Sequence, residues 1–191
     1  MKLIQLYFQI LQEIGEGTAR PFPYKITTDS PTRTVCEIQG ETSDGRKVNI
    51  NLYLIYTIFS KEGIDITLEY PGGTDERFLD FLQRPENNFE DGLRMVSVLF
   101  EIRPGSEIQV NDAFGEVNDL KYMFRLMATL KQIILAKDKE MNFNAIEFTP
   151  SEKDMTGDEG EGRRKLYGAF IKKMFPNSKE FRIDDVVYHT W

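Results

Sequence analysis

Hydrophobic residues follow a helical period at the start of the chain and a strand period in the stretch after it. Apolar side chains recur three and four positions apart over residues 3–14, which predicts an amphipathic helix that Gly15 ends. Over residues 47–59 apolar and more polar side chains alternate, which predicts a half-buried strand. The turn before this strand is predicted at Ser43–Asp44–Gly45, a sequence typical of hairpins.

The second half of the chain alternates between the two periods. A short helix over residues 76–85 and a strand over 93–102 come first. A long helix then begins after Asn118 or Asp119, either of which suits an N-cap, and its apolar face consists of Leu120, Phe124, Met127, Leu130 and Ile134. A buried strand over 143–149, a helix starting near residue 163 and a final strand over 180–191 complete the predicted order.

This order predicts one α+β domain over residues 1–191, with a mixed, mostly antiparallel sheet flanked by helices. Residues 1–93 form its N-terminal helix and antiparallel strands, and residues 94–191 form a strand–helix–strand–helix–strand half. Because a helix joins the strands at 94–102 and 143–149, we expect those two strands to be parallel.

Composition narrows the range of functions. The net charge is −7, which disfavours a surface for nucleic acid or for an acidic membrane but suits a basic protein partner. One cysteine and one histidine allow neither an internal disulfide nor a cluster of soft zinc ligands. No apolar run approaches the roughly 18 residues that a membrane-spanning helix needs. We therefore expect a protein of a reducing cytoplasm, with no metal, no nucleic acid and no membrane.

Motifs in residues 94–191 resemble a known family. The residues concerned are Phe124 and Thr129 of the long helix, Ile146 and Phe148 of the strand "AIEF", and Arg163, Leu166 and Tyr167 of "RRKLY". With their order of elements they are similar to the GNAT fold of N-acetyltransferases, and in particular to GNAT-like proteins encoded by tailed bacteriophages. The resemblance implies a GNAT-like α+β fold, and in an active member it implies acetyl-CoA as cofactor.

Tyr167 is the candidate catalytic residue if the protein is an active acetyltransferase. In active GNAT enzymes a tyrosine at this helix position protonates the departing thiolate of coenzyme A, and a phenol with a pKa near 10 is suited to that step. Cofactor contacts would then come from Gly115, Arg163 and Arg164, the glycine and the two arginines nearest the expected phosphates. The structural alternative is that Tyr167 is a half-buried aromatic that packs at the edge between helix and sheet.

The expected phosphate-binding loop argues against catalysis. GNAT enzymes hold the cofactor pyrophosphate with backbone N–H groups of a glycine-rich loop at a helix N-terminus. The corresponding segment here, "NDAFGEVNDL", has one glycine, and Asp112, Glu116 and Asp119 would repel a diphosphate. We therefore predict no bound cofactor.

Other chemically interesting residues have plain structural explanations. His189 stands alone near the end of a strand, and Cys36 lies within a predicted strand as a core residue. Asp184 and Asp185, even with Glu180, are more typical of a solvated strand start than of a metal site. The polar segment 151–162 contains five acids and one lysine, and it is either a plain connector or a docking element for a basic partner.

These observations favour a non-catalytic, GNAT-like bacteriophage protein that acts through protein–protein interaction. It would serve as a minor virion component or bind a host factor, either in the virion or in the cytoplasm of the infected bacterium. The first alternative is an active N-acetyltransferase with Tyr167 as general acid. A weaker alternative is an acidic mimic of nucleic acid, which the interleaved lysines of "KQIILAKDKE" disfavour.

Overall fold

The structure is a computed structural model, and it describes residues 19–59, 92–107, 119–148, 167–183 and 186–191. Of these residues, 47% lie in strands and 27% in two helices. The strands are β1 (Tyr24–Asp29), β2 (Arg33–Glu41), β3 (Lys47–Phe59), β4 (Leu93–Ile102), β5 (Ala145–Phe148), β6 (Lys179–Ile183) and β7 (Val186–Thr190). The helices are α1 (Leu120–Met141) and α2, whose described part covers residues 167–174.

The seven strands form a single sheet in the order β1-β2-β3-β4-β5-β7-β6. Neighbouring strands are antiparallel except β4 and β5, which pair in parallel through Met95 with Ala145 and Val96 with Ile146. Since α1 lies between these two strands in the chain, the predicted parallel pair with its helical crossover is confirmed.

The predicted fold class is wrong. We expected a GNAT-like sheet flanked by helices, but the described chain is dominated by its sheet. The first half contributes long, uninterrupted strands: β2 has 9 residues and β3 has 13, and all of β2 pairs with residues 47–55 of β3. Two of the four predicted helices, over residues 3–14 and 76–85, lie outside the described ranges, and the described part has seven strands against two helices.

One face of the sheet carries the main apolar cluster, although side chains on the other face, such as Met95 and Tyr188, are also buried. The side chains of β3 that point to the main cluster, from Val48 to Tyr56, are all at most 2% exposed. They form one apolar cluster with side chains of both helices, including Leu126 of α1 and Phe170 of α2. Both described helices therefore pack on the same face, here called the helix face, and the opposite one is the far face.

Local signals set the ends of α1. Asp119 is the N-cap, as one of the two predicted candidates, and its carboxylate accepts a hydrogen bond from the backbone N–H of Tyr122. Asn142 closes the helix in the left-handed conformation at φ 53°, with its N–H bonded to the carbonyl of Asp138. The predicted apolar face is confirmed at Phe124, Met127, Leu130 and Ile134, all of which are buried.

The end of the chain corrects a second prediction. Residues 180–191 were expected to form one strand, but they form a hairpin of β6 and β7 in which Ile183 pairs with Val186. Only Asp184 and Asp185 separate those two residues, and a polar pair between two strand-like runs is a hairpin signal. The sheet gains an edge strand as a result.

Several predictions concern residues outside the described ranges. These are the helices over 3–14 and 76–85, the loop around Gly115, the acidic segment 151–162, and Arg163 and Arg164. Neither helix in the described part of the chain is long and apolar enough to cross a membrane.

Candidate functional site

An aromatic cluster surrounds Tyr167 at the start of the described part of α2. The Tyr167 ring meets the ring of Phe148 edge-on, with centroids 5.3 Å apart and planes at 64°. Phe148 also stacks on the ring of His189, with centroids 6.1 Å apart and planes at 18°. Tyr167 is half-buried, as the structural interpretation predicts for an aromatic at the boundary between helix and sheet. The fold thus brings together Tyr167 and His189, which sequence reasoning treated separately.

His189 is the most unusual member of this cluster. Its side chain is fully buried, and neither ring nitrogen has a hydrogen-bond partner. The nearest opposite charge is the carboxylate of Glu180, whose Oε2 lies 3.8 Å from His189 Nε2. This separation is beyond hydrogen-bond distance. A buried imidazole normally satisfies both nitrogens, so His189 needs an explanation.

Gly168 allows α2 to approach this histidine closely. A Cβ atom at Gly168 would lie 3.0 Å from Oε2 of Glu180 and 3.7 Å from Nε2 of His189. The helix backbone therefore lies directly over both side chains. A larger residue at this position would displace either Glu180 or the helix itself.

The electrostatics of the cluster favour neutral histidine. Burial lowers the pKa of His189, and Lys172 of α2 lowers it further. Glu180 acts in the opposite direction but does not outweigh burial. At neutral pH the imidazole is thus uncharged, with one N–H and one lone pair that both lack partners.

A second candidate region is the N-terminus of α1, where the resemblance requires the cofactor phosphates. The Asp119 carboxylate occupies this helix end. One oxygen accepts hydrogen bonds from Tyr122 N at 3.0 Å and from the Ser43 hydroxyl at 2.8 Å, and the other accepts from Ser43 N. These bonds outweigh the effect of burial and hold the pKa of Asp119 below its ordinary value. A fixed carboxylate therefore already uses one of the helix N–H donors that an anionic ligand would need, and its charge would repel that ligand.

A shallow pocket of about 170 Å³ lies beside this helix end. Its lining comprises Glu41, Thr42, Ser43, Lys121 and Arg125. Arg125 is held in place, since its Nε donates to the carbonyl of Arg20 at 3.0 Å and its guanidinium lies 4.1 Å from the centre of the Phe22 ring. Glu41 and the neighbouring Asp119 offset the two cations, so the pocket has no excess positive charge to select an anion.

A third cluster of titratable groups joins β1, β2, β3 and α1. The Tyr56 hydroxyl donates to Thr34 Oγ1 at 2.7 Å, and Thr34 donates in turn to Asp29 at 2.7 Å. Lys137, whose side chain is 6% exposed, donates to Asp29 at 2.8 Å and to Glu140 at 2.7 Å. Burial alone lowers the pKa of Lys137, but these two bonds outweigh burial and raise it above its ordinary value. Lys137 is therefore a fixed cation rather than a base or a nucleophile.

The remaining predicted residues can be placed briefly. Cys36 is fully buried, as predicted, and burial raises its pKa to about 11, so its thiol stays protonated at neutral pH. Within the described ranges no three His, Cys, Asp or Glu side chains lie close enough to hold a metal ion. Gly115, Arg163, Arg164, Asp184 and Asp185 lie outside those ranges.

Two features of these clusters were not predicted from the sequence: the hydrogen-bond network around Lys137 and the contact between Gly168 and His189. The network around Lys137 joins residues up to 108 positions apart, and no local pattern reports such a contact. The contact between Gly168 and His189 had a weak signal, because a glycine within a helical pattern often marks a close approach of the backbone.

Comparisons with known proteins add no relative to this description: no family model, no curated protein and no solved structure matches the chain.

Proposed function

We propose that this chain is a non-catalytic protein that acts by binding another protein. Under this proposal its partner is a virion protein or a host factor, and it works in the infected bacterium or in the virion. The bacteriophage setting is supported by the sequence resemblance alone. The binding role is supported by the surface described next.

The observation that carries the proposal lies on the far face of β3 and β4. Tyr53 and Leu99 pair directly across these strands, and Leu99 is 43% exposed. The Tyr53 hydroxyl donates to Glu101 at 2.5 Å, which fixes the ring, and an ion pair of 2.9 Å between Arg103 and Glu37 lies beside it. This far-face patch has an aliphatic and aromatic centre with a charged rim, the composition that protein interfaces favour.

The arrangement at the N-terminus of α1 supports the non-catalytic part of the proposal. Acetyl-CoA carries a diphosphate, and the Asp119 carboxylate stands where backbone N–H groups would have to receive it. The alternative function, an N-acetyltransferase with Tyr167 as general acid, requires that carboxylate to move away.

Calorimetry with acetyl-CoA separates the two functions. We expect no heat of binding at micromolar cofactor with the wild-type protein. Asp119→Asn removes the charge and serves as the matched variant. Micromolar affinity in the wild type would support the acetyltransferase, and affinity gained only in the variant would identify Asp119 as the block.

The binding role is tested by Leu99→Glu against Ile26→Glu. Both side chains are 43% exposed on strands of the same sheet, but Ile26 lies away from the far-face patch. The partner is first identified by cross-linking the wild-type protein in infected cells, and its affinity is then measured with purified proteins. We expect Leu99→Glu to lose binding and Ile26→Glu to keep it, with both variants folded by circular dichroism. Equal binding by both variants would rule out the patch.

Substitutions in the acidic segment, residues 151–162, provide a second and independent test of partner binding. Reversing Asp158, Glu159 and Glu161 to lysine should weaken binding if the partner is basic, and the melting temperature should stay within a few degrees because the segment 151–162 offers only Met155 to a core. Unchanged binding would make this segment a plain connector.

A further inference from the structure

The buried histidine has a consequence for how α2 is held. We propose that His189 and Gly168 form an acid-sensitive latch, in which a neutral imidazole lets α2 pack on the sheet and a protonated imidazole releases it. The proposal is independent of the binding role and concerns a conformational device in the fold.

The geometry makes α2 the element that must respond. His189 lies on the helix face of β7 and is 0% exposed, with Phe148 of β5 against its ring and Gly168 of α2 above it. Protonation adds a charge and a second N–H to a site that satisfies neither nitrogen. The sheet neighbours are fixed by strand pairing, so the helix is the element that can move to admit water.

The charged and titratable groups around His189 determine the direction of the response. Glu180 of β6 attracts a protonated imidazole, but its carboxylate lies 3.8 Å away and is 28% exposed to water. Lys172 of α2 repels the same charge, and Tyr167 of α2 contacts the other side of this cluster through Phe148. Burial and Lys172 together outweigh Glu180 and lower the pKa of His189. Acid therefore favours the state in which the imidazole reaches water.

Linkage gives the pH window. Well above pH 6.5, the ordinary pKa of histidine, His189 is neutral whether α2 is packed or open, so protonation adds no free-energy cost to keeping α2 packed. The penalty grows as the pH falls below that value and levels off once the packed form is also protonated. Between pH 7.5 and pH 5.0 the opening equilibrium of α2 can therefore grow by as much as about 30-fold.

The chain contains one histidine, so the latch can be observed without ambiguity. The first experiment follows the imidazole and the backbone amides of residues 167–175 by NMR from pH 7.5 to 5.0. We expect the imidazole to titrate with a midpoint below 6.5 and the α2 amides to change with the same midpoint. A midpoint at or above 6.5, or α2 amides that do not respond, would overturn the latch.

Hydrogen exchange supplies the variant test. We expect α2 amides of the wild-type protein to exchange faster at pH 5.0 than at pH 7.5 after correction for intrinsic rates, with α1 as the internal reference. His189→Leu should abolish this acceleration, and Glu180→Gln should enlarge it because the attracting charge is gone. Equal acceleration in α1 and α2, or an acceleration that survives in His189→Leu, would contradict the proposal. If His189→Leu fails to fold, the wild-type titration alone decides.

Discussion

Two buried titratable side chains, Lys137 and His189, pack on the same face of one sheet but differ in their hydrogen bonding. Lys137 donates to Asp29 and Glu140, and a chain of hydrogen bonds continues from Asp29 through Thr34 to Tyr56. His189 is buried more completely, but neither of its nitrogens is bonded. Lys137 thus belongs to a connected polar network, whereas the imidazole of His189 is buried without a hydrogen-bond partner.

The comparison indicates where the fold is rigid and where it can respond. A satisfied network orders the elements that contribute to it, because losing one member leaves others buried without partners. An unsatisfied group weakens the packing around it and responds to any change that lets it reach water. We therefore expect loss of a hydrogen-bonding member of the Lys137 network to destabilise the protein, and loss of the His189 imidazole to be tolerated.

Among the substitutions that remove only a hydrogen-bonding group, the largest effect is expected for Thr34→Val. The substitution keeps the shape of the side chain but leaves the hydroxyl of Tyr56, which is 2% exposed, without its acceptor. We expect the free energy of unfolding to fall by about 2 kcal/mol in urea denaturation. The matched control is Thr57→Val, since the Thr57 hydroxyl is also buried but has no partner. Equal destabilisation by the two variants would show that the network does not contribute.

A smaller effect is expected for Asp29→Asn, and it should depend on pH. The hydrogen bond from Lys137 is the main cause that lowers the pKa of Asp29, followed by the bond from Thr34. A lowered carboxyl pKa stabilises the fold above the ordinary value of 3.8 and loses that effect as the pH falls through the folded value. Half of the Asp29 side chain is exposed, so the cost at pH 7 should be about 1 kcal/mol or less. Denaturation at pH 7 and pH 3 tests this, and a cost that is the same at both would exclude the charge as its source.

The opposite result is expected for His189→Leu at pH 7.5. Leucine is of similar size and removes two polar atoms that have no partners. The free energy of unfolding should stay the same or rise by up to about 1 kcal/mol, as measured by urea denaturation. A loss of more than about 2 kcal/mol would mean that the imidazole makes a bond in solution that the structure lacks, and the contrast with Lys137 would disappear.

The sequence predicted individual strands and helix ends better than it predicted the fold class. The alternation of Val48, Ile50, Leu52 and Leu54 predicted β3, and capping chemistry predicted that α1 begins after Asp119 or its neighbour. The fold class was wrong because strands from both halves of the chain join in one seven-stranded sheet, and the periodicity of a single strand does not report which strands it will pair with.

The candidate site was predicted only in part. The sequence correctly suggested a packed aromatic at Tyr167 and a buried Cys36, since both follow from local apolar patterns. It did not predict that Tyr167 and His189 share Phe148, because that contact needs α2 to lie over β5 and β7. Sequence spacing alone carries no information about such a contact.

The smallest expected effect is that of Tyr167→Phe. This substitution tests the packing of the Tyr167 ring on Phe148, which also stacks on His189. The ring packs edge-on against Phe148, and phenylalanine keeps that contact. Only the hydroxyl is lost, so the free energy of unfolding should change by less than about 1 kcal/mol, whereas Tyr167→Ala should cost about 3 kcal/mol because it removes the ring. Both values come from urea denaturation at pH 7.5. If Tyr167→Phe remains stable but loses a measurable acetyl transfer that the wild type performs, the hydroxyl is catalytic and the proposed non-catalytic role is wrong.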